Sequence, residues 1–421
     1  MIARTYGAAF LGLDTLIVTV EADLHWGIPK FDIVGLAETA VREGRNRIVS
    51  ALAAAGISWH NKRVTVNLGP ASVRKEGAAL DLPIALSLLA ALGEIQPGLL
   101  ERRVALGELS LDGALQPVRG ALAVADRVRR MEWKGVILPQ KSAREVARIS
   151  GLEVWACDNL KELVAFLKGE RGLPKWEGRL APEAIRVWEL DWQDVGGQWG
   201  AKRALEIAAA GHHNILFSGP PGIGKSLLAR RLPTILPELE ESEAFEVERI
   251  RSVAGLRESH PVQEPPFRAP HQSMSIAGAV GGGRPFRPGE FTLAHRGVLF
   301  LDELPEFRRD VVEALREPLE NGMVTVARAE GVFELPGKFI FVGSMNLCPC
   351  GASGDPKRQC LCPPPVVARY RRKVSGPIAD RIDLNLTLPF PSFEEVYDRE
   401  GGERSEVVRM RVAVARAKQR A

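Results

Sequence analysis

The segment that most constrains the fold of this 421-residue chain is a glycine-rich loop between an apolar strand and a helix. It matches the pattern G-x-x-x-x-G-K-[ST] and consists of Gly219, Pro220, Pro221, Gly222, Ile223, Gly224, Lys225 and Ser226. In such a loop the backbone N–H groups turn inward onto phosphate oxygens, Lys225 reaches the β and γ phosphates, and the Ser226 hydroxyl binds Mg²⁺. The alternative is a tight turn with an incidental lysine, but the apolar run 214–218 and the helical run 227–232 supply the required context. The sequence therefore predicts a site for ATP and Mg²⁺.

A second apolar strand, residues 297–301, ends in the carboxylates Asp302 and Glu303. Together with the phosphate-binding loop they predict that Asp302 holds the magnesium ion and that Glu303 polarises the attacking water. A solvated acidic turn is the alternative interpretation. Asn346 closes another apolar run, 339–345, and would lie level with Glu303 if the two strands are neighbours, where its amide can orient the same water.

Length and hydrophobic patterning predict two folded units, because single domains cluster around roughly 100 to 200 residues. Residues 1–168 alternate short strands with helices and form one α/β domain, and 169–194 are a proline-containing, charged linker. In residues 195–392 the predicted strands are almost wholly apolar, as in a parallel sheet covered on both faces. The last segment, 393–421, contains a helix that starts near Ser405. The fold class is therefore α/β in both domains.

Composition limits the partners only weakly. The net charge of +4 is a small difference between 56 basic and 52 acidic residues, so it permits a nucleic-acid partner without indicating one. No apolar run approaches the roughly 18 to 20 residues of a membrane span, so we expect a cytoplasmic protein with no membrane contact.

Four of the five cysteines form two C-x-C pairs within a short segment. They are Cys348, Cys350, Cys360 and Cys362. Four thiolates satisfy tetrahedral zinc, and nine intervening residues, 351–359, allow the pairs to fold back on each other. A spacing of two residues within each pair is more usual for zinc, so reduced loop thiols and two disulfides stay open as alternatives. Any zinc bound here would be structural.

Several longer segments resemble the ComM/YifB branch of the magnesium-chelatase-like AAA+ proteins, and the resemblance covers nearly the whole chain. The segments are 194–198, 201–208, 267–275, 289–307 and 375–383. The resemblance implies that residues 194–198, including Gln198, flank the adenine and that Asn346 is the first sensor. It also implies that Arg381 is the arginine finger inserted at the γ-phosphate of a neighbouring subunit, where a guanidinium stabilises charge in trans. An Arg381 paired with Asp380 or Asp383 on a surface turn is the alternative.

The same resemblance implies an ATP-driven homo-hexameric ring that remodels DNA, as a branch-migration helicase in natural transformation. The β-rich run 323–328 could form a hairpin that points into the pore of such a ring, where Arg328 would contact phosphates. A solvated hairpin arginine is an equally ordinary interpretation. A different class of function, a chelatase motor subunit that drives Mg²⁺ insertion into a porphyrin, is the alternative for the whole chain.

The amino-terminal domain resembles the Lon-protease-type domain found at the start of this family. The position of the nucleophilic serine is Ala79 here, and the position of the activating lysine is Leu122. Neither side chain can act as a nucleophile or a base, so we predict a proteolytically inactive domain, with Ser72 and Lys75 as improbable substitutes. Family members continue into a helical lid with a second sensor arginine; we expect the lid to be truncated here and assign no second sensor.

Overall fold

The structure is a computed structural model that describes residues 2–59, 61–173, 176, 190–256, 262–328, 331–390 and 402–420. Most of the predicted linker, at 174–175 and 177–189, and part of the terminal segment, at 391–401, lie outside the described residues. The chain divides into two compact units. The first contains Met1–Ala184, Glu248–Pro261 and Arg284–Arg287, and the second contains Ile185–Val247, Val262–Gly283 and Pro288–Ala421.

Both units are α/β, which confirms the predicted fold class. The strands are β1 (Ile2–Leu11), β2 (Asp14–Trp26), β3 (Lys30–Val34), β4 (Lys62–Gly69), β5 (Arg103–Ala105), β6 (Glu108–Leu109), β7 (Leu115–Gln116), β8 (Gly135–Pro139), β9 (Glu153–Cys157), β10 (Ile215–Ser218), β11 (Phe267–Arg268), β12 (Gly281–Gly282), β13 (Arg287–Pro288), β14 (Val298–Leu301), β15 (Met323–Arg328), β16 (Gly331–Pro336), β17 (Ile340–Met345) and β18 (Leu384–Thr387).

The helices include several of a single turn. They are α1 (Thr39–Ala54), α2 (Asp81–Leu92), α3 (Ala121–Arg130), α4 (Gln140–Ala143), α5 (Leu160–Leu167), α6 (Trp199–Gly211), α7 (Lys225–Ile235), α8 (Glu241–Ala254), α9 (Ile276–Val280), α10 (Glu290–Leu293), α11 (Arg309–Ala314), α12 (Arg316–Asn321), α13 (Pro364–Arg371), α14 (Gly376–Ala379) and α15 (Ser405–Arg420).

The first unit is a seven-stranded sheet of order β3-β4-β2-β1-β5-β8-β9. Strands β1, β2 and β4 pair antiparallel, whereas β1, β5, β8 and β9 pair parallel. Helix α2 packs on β1 and β2, and all but its last residue is buried, as expected of a helix that is apolar on every side. Its first residue, Asp81, is also buried, which raises the pKa of that carboxyl group, and Arg47 compensates with two hydrogen bonds of 2.8 and 3.1 Å.

Two short segments that are distant in the sequence belong to this first unit. The Ser252 hydroxyl donates to the Glu145 carboxylate at 2.6 Å, and the Ser252 carbonyl accepts from the Gly120 N–H at 2.8 Å. The Arg119 guanidinium donates to the Phe286 carbonyl at 2.9 Å. These contacts are between residues more than a hundred positions apart, so no local sequence pattern indicates them.

The second unit is built on a five-stranded parallel sheet of order β11-β14-β17-β10-β18. Its central strands are fully buried, as predicted from their apolar sequences. Helix α15 packs on α6 and α7 through the buried side chains of Val408 and Val412. The buried Ser405 hydroxyl at the start of α15 accepts from the Trp192 N–H at 2.8 Å and lies 2.7 Å from the Thr234 hydroxyl.

Across the described ranges, the helices are all too short or too polar to traverse a lipid bilayer.

Candidate functional site

The glycine-rich loop joins β10 to α7, so the strand and helix that the motif requires are both present. A side chain at Gly219 would place its Cβ 2.5 Å from Ile223 Cδ1 and 2.8 Å from the Leu388 carbonyl oxygen, which no larger residue can tolerate. Gly224 has φ +93°, a backbone conformation that glycine adopts without strain. The loop therefore depends on its glycines for geometry, and it leads directly into the amino-terminal turn of α7, where anions bind.

Strand register brings three predicted site residues to one edge of the sheet. Ser218 in β10 is paired with Met345 in β17, and Leu301 in β14 is paired with Gly343 in β17. Because the strands are parallel, the residues that follow them, Gly219, Asp302 and Asn346, emerge side by side at the carboxyl edge. Ligands bind at this edge in open α/β sheets.

Ser226 and Asp302 meet as expected of two groups that share a magnesium ion. The Ser226 hydroxyl donates to Asp302 Oδ2 at 2.7 Å. Oxygen atoms from a hydroxyl and a carboxylate are the hard ligands that Mg²⁺ prefers, so the residues present fit the ion. They leave the remaining coordination positions to water and phosphate, as is usual for Mg²⁺.

Ser344 positions Asp302, and the sequence analysis did not identify it. The Ser344 hydroxyl donates to Asp302 Oδ1 and accepts from the backbone N–H of Glu303 at 3.1 Å. Ser344 is fully buried within β17. A polar residue inside an otherwise apolar central strand is a signal that was present in the sequence, because a buried hydroxyl needs partners.

Lys225 connects the loop to Asn346. Its ammonium donates to Asn346 Oδ1 at 3.1 Å and to the carbonyls of Gly219 at 2.6 Å and Pro220 at 3.0 Å. Only 8% of Lys225 is exposed, and this burial lowers the pKa of its ammonium, whereas the nearby Asp302 and Glu303 carboxylates favour the charged form. An ammonium ion held in this way can contact phosphate oxygens bound in the loop.

Glu303 has a left-handed backbone with φ +54°, which is uncommon for a residue other than glycine. Such conformations cost about 1–3 kcal/mol and concentrate at functional sites. The Glu303 side chain is exposed, while Asp302 beside it is engaged with Ser226 and Ser344. The two adjacent carboxylates thus have different surroundings, one fixed and one open to water.

Gln198 precedes α6, and its side-chain amide donates to the Ile223 carbonyl of the phosphate-binding loop at 3.2 Å. A cleft of about 270 Å³ is lined by Gln198, Trp199, Leu386, Thr387 and Pro389, among others. Its position beside the loop fits the predicted adenine pocket. Asp194, in the same predicted segment, instead pairs with Arg231 at 3.0 Å.

Arg381 lies on the turn between α14 and β18, away from the Lys225 contacts. Its guanidinium donates to the Pro377 carbonyl at 2.7 Å and to the Glu320 carboxylate. Its partner is therefore Glu320, not Asp380 or Asp383 as in the alternative reading. The predicted contact with a neighbouring subunit stays a prediction.

The four clustered cysteines converge, with their Sγ atoms all within 4.8 Å of one another. Three of the separations are 3.3 Å for Cys348–Cys350, 3.5 Å for Cys348–Cys360 and 3.8 Å for Cys350–Cys360. Tetrahedral zinc with Zn–S bonds of about 2.3 Å requires sulfur separations of about 3.8 Å, so the cluster fits the ion. Hydrogen bonds from the backbone N–H of Ala352 and from the neighbouring thiols lower the pKa of the Cys350 thiol to about 6, which favours the metal-binding thiolate at this position.

Cys157 is buried in the first unit, where burial raises its pKa to about 12. The predicted hairpin forms from β15 and β16, and Arg328 Nη2 donates to the Gly283 carbonyl at 2.6 Å.

In the first unit, Ala79 and Leu122, at the positions predicted to match the nucleophile and the base of a Lon-type protease, have hydrocarbon side chains. Leu122 is buried, and Lys75 is fully buried with its ammonium donating to the carbonyls of Gly35, at 3.0 Å, and Pro70. Burial lowers the pKa of Lys75. Ser72, by contrast, is exposed. These surroundings give Lys75 a role in holding main-chain turns together.

The fold and site define a P-loop ATPase domain of the AAA+ class joined to a second α/β domain. Two family models match the chain: "Magnesium chelatase, subunit ChlI" over residues 191–396 and "Subunit ChlI of Mg-chelatase" over residues 20–142. The competence protein ComM of Haemophilus influenzae is 40% identical over 423 residues, covering 99% of this chain and 82% of that protein. The protein YifB of Escherichia coli is 40% identical over 415 residues, covering 98% of this chain and 81% of that protein.

A more distant relative is the magnesium-chelatase 38 kDa subunit of Rhodobacter capsulatus, 29% identical over 170 residues, which covers 36% of this chain and 49% of that subunit. The chain belongs to the ComM/YifB branch of the magnesium-chelatase-like AAA+ proteins, as the sequence segments predicted. Membership in this family implies an ATPase that uses ATP and Mg²⁺.

We predict that Ser344→Ala lowers ATP turnover by about 10- to 100-fold, because Asp302 loses the partner that orients it for the metal. The loss should be partly restored by excess Mg²⁺, which a purely structural defect would not show. The measurement is steady-state hydrolysis across a Mg²⁺ titration, with Ser242→Ala, at an exposed position of the same unit, as the control. An unchanged rate and Mg²⁺ dependence in Ser344→Ala would contradict the role of this hydroxyl.

Proposed function

We propose that this chain is an ATP-hydrolysing ring motor that remodels branched DNA, acting as a branch-migration helicase during the integration of incoming DNA. The observation that carries the ATPase part is the meeting of Ser226, Asp302, Lys225 and Asn346 at one sheet edge. The DNA part is supported by 40% identity to a competence protein along 99% of the chain. The chelatase alternative has weaker support, since the Rhodobacter subunit matches only 36% of the chain.

The surroundings of each site residue support a particular role in hydrolysis. Within the loop Gly219–Ser226, the backbone N–H groups and the Lys225 ammonium bind the phosphates. Ser226 and Asp302 hold Mg²⁺, which when bound neutralises charge on the β and γ phosphates. Glu303, the exposed carboxylate, accepts the proton of the attacking water. Asn346 orients that water and shares Lys225 with the phosphates. Gln198 borders the adenine cleft.

Arg381 supplies a positive charge to the active site of the adjacent subunit in a hexamer. The motif that contains it, and the general need for a guanidinium at the transferring phosphoryl group, support this role. In the isolated chain the same guanidinium is paired with Glu320. To act in the ring, Arg381 must leave Glu320 and bind the γ-phosphate of the nucleotide held by the adjacent subunit.

The hairpin β15–β16 is the proposed DNA contact within the pore, with Arg328 near its tip. Contacts of this kind are to phosphates, so they carry salt-dependent affinity with no sequence preference. The amino-terminal domain is proposed to be proteolytically inactive and to serve binding or assembly, because Ala79 and Leu122 lack nucleophile and base.

The four-cysteine cluster is proposed to hold a structural zinc ion. The convergence of four sulfur atoms within 4.8 Å supports it, and four protein ligands leave no open position for water. The ion would stiffen the chain between Asn346 and Arg381.

We expect ATP turnover to rise in the presence of four-way DNA relative to linear duplex.

Glu303→Gln should lose turnover by about 100-fold or more while it still binds ATP, because only the base is removed. Lys225→Ala should lose turnover because the phosphates lose a ligand. Hydrolysis measured with and without each DNA checks this; an unaffected Glu303→Gln enzyme refutes the base, and identical turnover with every DNA refutes the DNA partner.

Mixed rings test the action of Arg381 in trans. Arg381→Ala subunits and Lys225→Ala subunits should each be inactive alone, and mixtures should recover part of the ATPase activity, because an intact loop then meets an intact finger at some interfaces. Activity is measured across mixing ratios, with mixed assembly verified by co-purification of two different tags. Absence of recovery in verified mixed rings would count against a finger supplied in trans.

Elemental analysis of protein purified without added metal or a histidine tag tests the zinc site. Near-stoichiometric zinc is expected in the wild type and in Cys157→Ala, and its loss is expected in Cys350→Ser. Acidification should release the ion, since protons compete with zinc for the four thiolates. A folded, active protein that contains no metal would eliminate the site.

A further inference from the structure

The loop that carries the four cysteines lies against the phosphate-binding loop. A Cβ built on Gly351 would lie 3.4 Å from Pro221 Cδ and 4.0 Å from Asn346 Nδ2. A Cβ built on Gly354 would lie 3.7 Å from Pro220 Cδ and 3.1 Å from Leu347 Cδ1. Both glycines of the cysteine loop therefore face the prolines of the phosphate-binding loop across a space that one added methyl group would fill.

The two glycines are held in place by the turns that the cysteines define. Gly351 follows Cys350 directly, and its N–H donates to the Cys348 carbonyl at 3.1 Å. The Ser353 N–H donates to Cys348 Sγ at 3.2 Å. Gly351 and Gly354 have φ values of +76° and +79°, the left-handed conformation that glycine accepts without strain. Displacement of the cysteines would thus displace both contact points.

The prolines are the part of the phosphate-binding loop best suited to receive such support. Proline has no N–H to offer a phosphate, and its ring fixes φ, so Pro220 and Pro221 contribute stiffness and an apolar surface. The Pro220 carbonyl accepts from Lys225 Nζ at 3.0 Å, and Lys225 also donates to Asn346, two residues before Cys348. Pro220, which lies beside the cysteine loop, is therefore hydrogen-bonded to the ammonium that is proposed to bind phosphate.

We propose that the metal-loaded cysteine loop forms one wall of the phosphate site, so that zinc occupancy sets the affinity for nucleotide. This inference rests on the proposed ATP and zinc sites. When zinc joins the four thiolates, the turns at Gly351 and Gly354 are fixed and the phosphate-binding loop is supported in its binding shape. Without the ion the four cysteines are no longer joined through one metal and the turns gain freedom, so nucleotide binding must order both loops, which weakens affinity.

The test is ADP affinity measured by calorimetry with Mg²⁺ present, since ADP is not hydrolysed. The full chain is compared as purified, after zinc is stripped and the chelator is dialysed away, and after zinc is restored. We expect ADP to bind about tenfold more weakly without zinc and to regain its affinity on reloading. Cys360→Ser should behave like stripped protein, whereas Cys157→Ala, at the unclustered cysteine, should bind ADP like the wild type.

A second variant tests the contact without removing the metal. Gly354→Ala should keep its zinc but weaken ADP binding, because the added methyl group would lie only 3.1 Å from Leu347 Cδ1 and would shift the loop beside Pro220. The matched control is Gly93→Ala, which places the same strain at φ +80° where nothing lies within 4 Å. Circular dichroism reports whether each variant is folded.

A folded, zinc-free chain whose ADP affinity stays within about twofold of the loaded chain would overturn the inference. A chain that binds ADP but never zinc would overturn this inference and the zinc site while leaving the nucleotide site intact. A chain that binds zinc but no ADP would overturn the proposed nucleotide site and the inference with it.

Discussion

The parallel pairing of β10, β14 and β17 is the constraint on which the rest of the second unit depends. The pairs Ser218 with Met345 and Leu301 with Gly343 fix where each strand ends. A slip of one residue would turn every side chain to the opposite face of the sheet and would separate Asp302 from Ser344 and Ser226. The apolar strand sequences therefore do more than fill a core, because they determine that a loop, a carboxylate pair and an amide emerge at one edge.

Side chains from the strands and from the phosphate-binding loop hold the polar groups at that edge. Asp302 is held by Ser226 on one side and Ser344 on the other, whereas Glu303 is left exposed. Lys225 is nearly buried yet surrounded by oxygen atoms, which offset the cost of removing its charge from water. The three proposed tasks, metal binding, water activation and phosphate binding, thus belong to different side chains that are neighbours in space.

Much of this arrangement was predictable from sequence because its signals are local. The phosphate-binding loop, the apolar strand before Asp302 and the cysteine pairs each lie within a few consecutive residues. Strand β1 and the short edge strand β3 have weak local signals, since Gly7, Ala8 and Ala9 in β1 have little strand preference and β3 has only five residues. The bond of Ser344 to Asp302 and the position of Gly351 beside Pro221 depend on which strands and loops are neighbours, which no local pattern specifies. The assignment of Glu248–Pro261 to the first unit likewise depends on which segments are neighbours in space.

The central claim is that Ser226 and Asp302 form the magnesium site of an ATP-binding edge. The most direct test is the affinity of a non-hydrolysable ATP analogue measured with and without Mg²⁺ in the wild type and in Ser226→Ala. The account predicts that Mg²⁺ strengthens binding to the wild type and that Ser226→Ala loses most of this gain while its affinity without the ion changes little. A Ser226→Ala protein that retains the full magnesium-dependent gain would contradict the account.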